Sequence, residues 1–585
     1  MMAMIGRRLR NAFVIDLEVL AIFRLLLALI VIWGLLGRIE IGGYLFPKSL
    51  ATPPLNDLNV QPTAADHQLY SSRESRSAWT PWHWSLLWLD QVVSQTHNTV
   101  LSVQSVQPVA ELAGDPPTQT PPIPQPVFEA WHGPFERATS FLASRLWFDC
   151  VIGIGIASAI LFGLGLFTKS ANIVLWIVVV SIQHRLPLFN SGADSLERLF
   201  LFWMMFLPAG AMFSLDAWWF ARQGFWRKRI NQVQAQRFQT HLTSGQPLRG
   251  GYAISNWATC AILVQLVSIY EYSALAKLND DWWNGSAVEQ ALQWSFITKP
   301  MAAQLLMYPA LLRLVTWSVL TVELLSPVLV FCPGLFGWTR RWTICFLVLM
   351  HLGIATTLSI GTFSLICSAG WLLFFAWPLG PSGGWRRLWI DQRDQDREPP
   401  EQIASSSRPG ATAVEWLVVF LMSLSVWWNL SQASVLKSWV KYPQPLFPVL
   451  CQLGLDPNFP MFGQVPLKNL GWVHRVDLAS GESFDIRPSL PSPLSVPNQL
   501  SGWFEPHSVY LWRQLHVNLL YLEMQQPEFV HLVRERLRDL ELHVWREQAR
   551  AAGTIATHEI DSAYSQLLRV DQTTGDEEAW STTEL

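Results

Sequence analysis

Stretches of about 20 mostly apolar residues recur along this chain, at 17–38, 146–167, 171–188, 196–215, 256–277, 308–333, 342–358, 361–378 and 412–431. A helix of that length crosses the ~30 Å hydrocarbon core of a bilayer. Lipid offers no partner to a bare N–H or C=O, so such segments must be helical. The reading is an all-α integral membrane bundle of about nine transmembrane helices. Composition agrees, with 50% hydrophobic residues, 15% charged and a mean hydropathy of +0.22. Soluble domains carry nearer 25% charge. The net charge of −3 and the lack of any basic run argue against nucleic acid as a partner.

The basic residues set an orientation. With the N-terminus inside, segments 1–16, 168–170, 216–255, 334–341 and 379–411 face the cytoplasm and carry Arg7, Arg8, Arg10, Lys169, Arg227, Lys228, Arg229, Arg340, Arg341, Arg386 and Arg387. The short outer loops are poorer in Lys and Arg, as the positive-inside rule requires. No small-residue cleavage site follows Trp33-Gly34-Leu35-Leu36-Gly37-Arg38, which makes 1–38 the N-terminus and an uncleaved first span. This predicts a plasma or inner membrane protein with a cytoplasmic N-terminus and an outer C-terminal domain.

Between the spans lie three other kinds of segment. Residues 39–145 form a Pro-rich outer loop of polyproline character. A bundle over 146–433 includes a charged, Ser-rich cytoplasmic linker at 379–411. Residues 434–585 are expected to form a small α+β extramembrane domain. There Gly471 to Ile486 alternates about an Ala-Ser-Gly turn, as in a β-hairpin, and helical spacing runs from about 508 to 550. The last thirty residues look loose.

Six cysteines are present with no CxxC, and no Walker loop, Rossmann fingerprint or HExxH appears, so neither a metal nor a nucleotide is indicated. The chemistry-bearing residues are polar groups in apolar surroundings. Lys277 closes the fifth span, and burial would disfavour its ammonium form and leave a base or nucleophile. The ordinary alternative is a snorkelling side chain paired with Asp281 at i+4. Glu271 lies deeper in the same span and needs a partner; Arg24, Glu323 and His351 are candidates. His351 reads as the one histidine deep in a span, with a packing role as its alternative. Asp194 and Arg198 suit an i,i+4 pair at the outer start of the fourth span, beside Asn190 and Glu197. Trp282 belongs to one of several Trp pairs that fit an interfacial belt.

The segment from Tyr270 to Ala287, with Lys277-Leu278-Asn279-Asp280-Asp281-Trp282, resembles the signature of the horizontally transferred transmembrane (HTTM) domain family. Supporting places are Phe23-Arg24, Asn190 to Arg198, Glu323-Leu324-Leu325-Ser326-Pro327, His351-Leu352-Gly353-Ile354 and Gly454 to Phe462. The best-known relatives are the vitamin K-dependent γ-glutamyl carboxylases, and the chain is similar to bacterial members.

That resemblance implies Lys277 as the base that deprotonates reduced vitamin K or menaquinol. Reaction of that quinol with oxygen then yields a base strong enough for a glutamate γ-proton of a secreted peptide or protein. Two departures stand out. The carboxylases share Asn-Asn-His where this chain reads Asn190-Ser191-Gly192-Ala193-Asp194, and their outer domain is much larger. A transporter, or a non-catalytic maturation, export or immunity factor for a secreted peptide, stays open beside the enzyme.

Overall fold

The computed structural model describes residues 12–45, 145–222, 253–331, 338–375, 413–432, 436–455, 470–478, 483–485, 510–518, 560–570 and 577–579, with 187–188, 255, 295–296, 437–438, 512–513 and 516 excepted. The expected Pro-rich loop beyond residue 45, the linker 379–411 and the helical pattern beyond 518 lie outside them.

Each of the nine apolar segments holds a helix. In chain order the described elements begin with β1 (Ile15–Asp16), α1 (Leu17–Leu45), α2 (Arg145–Leu164), α3 (Thr168–Arg185), α4 (Gly192–Met204), α5 (Leu215–Arg222) and β2 (Ala253–Ile254). They continue with α6 (Trp257–Ala276), the short α7 (Asp280–Trp283), α8 (Ala287–Gln293) and α9 (Pro300–Leu305), then α10 (Pro309–Phe331), α11 (Trp338–Thr357), α12 (Phe363–Leu372), α13 (Ala413–Gln432) and α14 (Phe447–Leu453). Five of them, α1, α2, α6, α10 and α13, are long and apolar enough to cross a membrane. The molecule is a mostly helical membrane protein.

The fourth apolar segment is displaced from its expected bounds. Its helix starts at Gly192, capped by Ser191 and Asp194 in a capping box, and ends at Met204. Pro208 and Gly210 then hold residues 205–214 in turns. The carbonyls freed there are satisfied by Arg24 of α1, whose guanidinium donates to Ala209 O at 2.5 Å, Met212 O at 3.2 Å, Phe213 O at 2.5 Å and Gly163 O at 3.3 Å.

One continuous core joins α1, α2, α3, α4, α6 and α12 through Phe23, Phe148, Phe162, Leu175, Phe200, Leu266 and Trp371, all buried. β1 and β2 pair antiparallel (Ile15 with Ile254) and tie the starts of α1 and α6 together. The chain turns between the seventh and eighth segments at Gly361, whose φ of +60° suits glycine. A Cβ there would strike the buried ring of Tyr510.

C-terminal residues form a four-stranded antiparallel sheet in the order β4-β3-β5-β6, from β3 (Leu470–Leu478), β4 (Ser483–Asp485), β5 (Ile560–Val570) and β6 (Glu577–Ala579). β3 and β4 are the expected hairpin, with Val476 opposite Phe484. Residues 560–570 and 577–579 correct the expectation of a loose tail: β5 runs along all of β3 and carries β6. Their mixed polar and apolar sequence hid this, because the strand's partner lies about 90 residues earlier in the chain.

Candidate functional site

Helix α6 ends at Ala276, and Lys277 is its C-cap, with its N–H bonded to the carbonyls of Ser273 and Ala274. The chain then turns through Leu278 and Asn279 into α7. That break removes the helical geometry a Lys277–Asp281 pair needs, and Asp281 instead accepts from Gln290 Nε2 at 3.2 Å. Lys277 folds back along its own helix, its Nζ donating to Ser273 Oγ at 2.5 Å and to Glu323 Oε2 of α10 at 2.6 Å. Both charged side chains are almost fully buried, at 3% and 6% exposed.

Glu323 is held by its own surroundings. Pro327 cannot donate to the carbonyl four residues earlier, which belongs to Glu323. The Ser326 hydroxyl takes that place, donating to Glu323 O at 2.9 Å. The short α7 swings Trp282 under the lysine, with Nζ 5.2 Å from the ring centroid, within cation–π reach. Trp282 is therefore buried inside the protein and is not part of an interfacial belt; its neighbour Trp283 takes the exposed position.

This ion pair closes one side of a cavity of about 520 Å³ between α6, α10 and α11. Its lining is apolar apart from a few groups: Ser273, Lys277 and Glu323, the pair Tyr270 and His351, and Ser318, Thr357 and Cys367. Tyr270 Oη lies 2.5 Å from His351 Nε2, and the Tyr270 ring packs edge-on against Trp371. Lys277, Ser273 and Tyr270 fall at spacings of four and three, on one face of α6. On its exposed side the lining includes Leu314 (59% exposed) and Leu349 (65%). A Cβ on Gly353 of α11, also lining the cavity, would meet nothing within 4 Å.

The structure thus brings together Lys277, Trp282, Glu323 and His351 and separates the rest. Glu271, three residues from Ser268 along the helix, points away from the cavity lining, half-buried, with Oε2 lacking a partner. None of its three expected partners reaches it. Arg24 serves the turns after α4, Glu323 serves Lys277, and His351 serves Tyr270. His184 near the end of α3 is a second buried histidine.

Asp194 and Arg198 do not pair. Asp194 binds Arg38 of α1 and closes the Ser191 capping box, while Arg198 donates to Gln183 Oε1 at 3.5 Å and to Gly454 O at 3.3 Å. Helix geometry lost because the box needs Asp194 turned back toward the N-cap. Asn190 donates to Gln183 O at 2.7 Å and accepts from Asn518 Nδ2 at 3.0 Å through its carbonyl. These residues form a second buried polar cluster, with Glu197 and Tyr510, that docks the segment 510–518. Burial pushes the Tyr510 hydroxyl up from its ordinary range, and it stays a neutral donor, to Gln514 Oε1 at 3.2 Å.

Sequence reasoning passed over Tyr270, Ser273 and Arg38. The first two carry a legible signal in their spacing from Lys277; Arg38 carries only its position at the end of the first span. Asn284-Gly285-Ser286 and Asn429-Leu430-Ser431 both match the glycosylation pattern N-x-S/T, and the structure separates them. Asn284 is exposed, and Asn429 is buried with Nδ2 3.1 Å from Ser268 Oγ.

Comparison with known families gives one match: residues 145–377 fit the family model described as the HTTM domain. All of Tyr270, Ser273, Lys277, Trp282, Glu323 and His351 fall within that range. No curated protein and no solved structure matches the chain.

Proposed function

We propose that this chain, whose residues 145–377 form an HTTM domain, is a bilayer-embedded enzyme of the carboxylase-like kind, in which Lys277 is the proton acceptor. The observation that carries the reading is the buried Lys277–Glu323 pair facing an apolar cavity of about 520 Å³. A structural ion pair has no need of a cavity beside it, and buried pairs are weak devices for stability.

Glu323, with Oε2 2.6 Å from the Lys277 amine, is placed to take up the proton that Lys277 must give away before it can act as a base. With that proton on Glu323, the Lys277 amine is neutral and takes a proton from an acidic O–H presented by the cavity. Ser273 and Trp282 fix its position, and the ring stabilises the cation that results. The apolar lining with a single charged pair at its edge fits the body and head of a reduced quinone. Bound there, such a group would supply the acidic O–H and the electrons that reduce oxygen when the strong base for carboxylation is generated. Nine crossings with a cytoplasmic N-terminus, in a plasma or inner membrane, would place Lys277 at the outer end of α6, reachable by a secreted peptide or protein.

The transporter reading has less support, since Arg24 and Glu271 lie apart from Glu323 and His351. Mass spectrometry of lipids co-purifying with the protein tests the enzyme reading: a naphthoquinone is expected. Lys277→Arg is expected to be inactive, because arginine keeps its proton. An active Lys277→Arg protein would overturn the role given to Lys277.

A further inference from the structure

The turn between α11 and α12 is part of the cavity wall. Thr357 and Leu358 before it and Phe363 after it line the cavity, and the Phe363 ring packs edge-on against His351. Apart from Gly361, every residue from Thr357 to Phe363 is buried. Connections between helices ordinarily run over the surface, so a buried one must have its backbone groups met and its position fixed by other parts of the chain. Residues 297–299 do this for the first half. Thr298 bridges antiparallel to Leu358, Lys299 N–H donates to Thr357 O at 2.8 Å, and Ser359 N–H donates to Ile297 O at 2.6 Å.

The second half meets Tyr510 of the C-terminal segment. The nearest atoms to a Cβ built on Gly361 are the ring carbons Cε1, Cδ1 and Cζ, at 2.3, 2.6 and 2.7 Å, so the ring lies flush against the glycine backbone. Other helices hold the tyrosine in turn. Its hydroxyl lies beside Ser191 and near Arg38, Asp194 and Glu197, and Asn518 of the same segment donates to Asn190 O at 3.0 Å. Tyr510 thus spans from the start of α4 to the turn that carries Phe363.

We propose that Tyr510 is a positioning residue for the cavity: its ring fixes Gly361, and through it Phe363, so that the docked segment 510–518 keeps this wall closed to water. The inference rests on the cavity being a substrate site, where water admitted through the wall would reach the Lys277–Glu323 pair and solvate it. The contact is made by ring carbons on backbone, so the aromatic ring is required and the hydroxyl is not.

Cys367 reports on the wall. It lines the cavity and is 1% exposed, whereas Cys260, half-buried near the start of α6, lies outside the lining. The full chain in detergent is treated with 2-sulfonatoethyl methanethiosulfonate, an anionic thiol reagent excluded by the apolar edge at Leu314 and Leu349. Peptide mass spectrometry follows each cysteine. Tyr510→Phe keeps the ring and should leave the Cys367 rate within about twofold of wild type. Tyr510→Ala is expected to raise it by roughly tenfold or more, as local opening does, with Cys260 unchanged. Should the alanine variant not fold, Tyr510→Leu keeps an apolar anchor but not the flat contact, and should raise the rate by roughly threefold or more. An unchanged Cys367 rate in whichever of these two folds overturns the inference. A parallel rise at Cys260 also overturns it, by showing general loosening, as does a phenylalanine variant as reactive as the alanine one. No turnover is measured, so each of these outcomes bears on Tyr510 alone, and an active Lys277→Arg protein bears on the chemistry alone.

Discussion

Lys277 reaches across to Glu323 on the neighbouring helix, with Nζ 2.6 Å from Oε2, and leaves Asp281, four residues along its own chain, to Gln290. The end of α6 at Ala276 decides this, because it swings the following turn out from under the side chain.

Breaking that pair from one side strands a buried charge. Lys277→Met is expected to cost about 3–5 kcal/mol of stability, while Lys277→Met with Glu323→Leu recovers most of it, since two apolar groups replace two compensated charges. Both should be inactive. Thermal unfolding in detergent separates the loss of folding from the loss of chemistry; a double variant as unstable as the single one would mean that the pair is not coupled.

At Gly353 the structure has room to spare. Gly353→Leu should leave the melting temperature unchanged or raised, since the added atoms meet open space and leucine favours a helix by up to about 1 kcal/mol over glycine. The same atoms fill the cavity beside Leu349, so uptake of an apolar probe is expected to fall at least tenfold. Unchanged uptake would place the entrance elsewhere.

Gly361 offers the opposite case. Its φ of +60° and the ring of Tyr510 leave no space for a side chain. Gly361→Ala should destabilise the docked segment 510–518 by about 1–2 kcal/mol and speed its cleavage by an added protease. Tyr510→Ala removes the obstruction and should make the glycine substitution less costly, to be read as a coupling energy between the two sites.

Arg38 and Asp194 form another buried ion pair, and neither residue lines the cavity. Arg38→Met is expected to lower stability by about 3–5 kcal/mol through the uncompensated Asp194 and Glu197 carboxylates. Its effect on probe binding by the cavity should be small once the protein is folded. A selective loss of binding at unchanged stability would tie the two clusters into one site.

Much of this fold was legible because lipid leaves a chain few choices. Every apolar stretch became helix, and only the ends moved, at α4 where Pro208 and Gly210 cut the span short. Lys277, Glu323, Trp282 and His351 were legible as polar or aromatic groups in apolar surroundings, but their pairing was not. Glu271 shows why: periodicity gives the face of a helix and says nothing about which neighbour stands opposite. The partnership of β3 with β5 was hidden for a related reason, being set by contacts between residues such as Val473 and Gln566 that no local pattern connects.

Leu314 and Leu349 are exposed at the cavity's edge, on two of the helices that form it, and a reactant of the proposed kind arriving past them would come from solution in the membrane itself. Its supply is then governed by partitioning into a thin layer, where an oily compound is enriched far above its level in water. Tight capture is unnecessary under such conditions, and turnover would track the lipid composition of the host membrane more closely than any aqueous concentration.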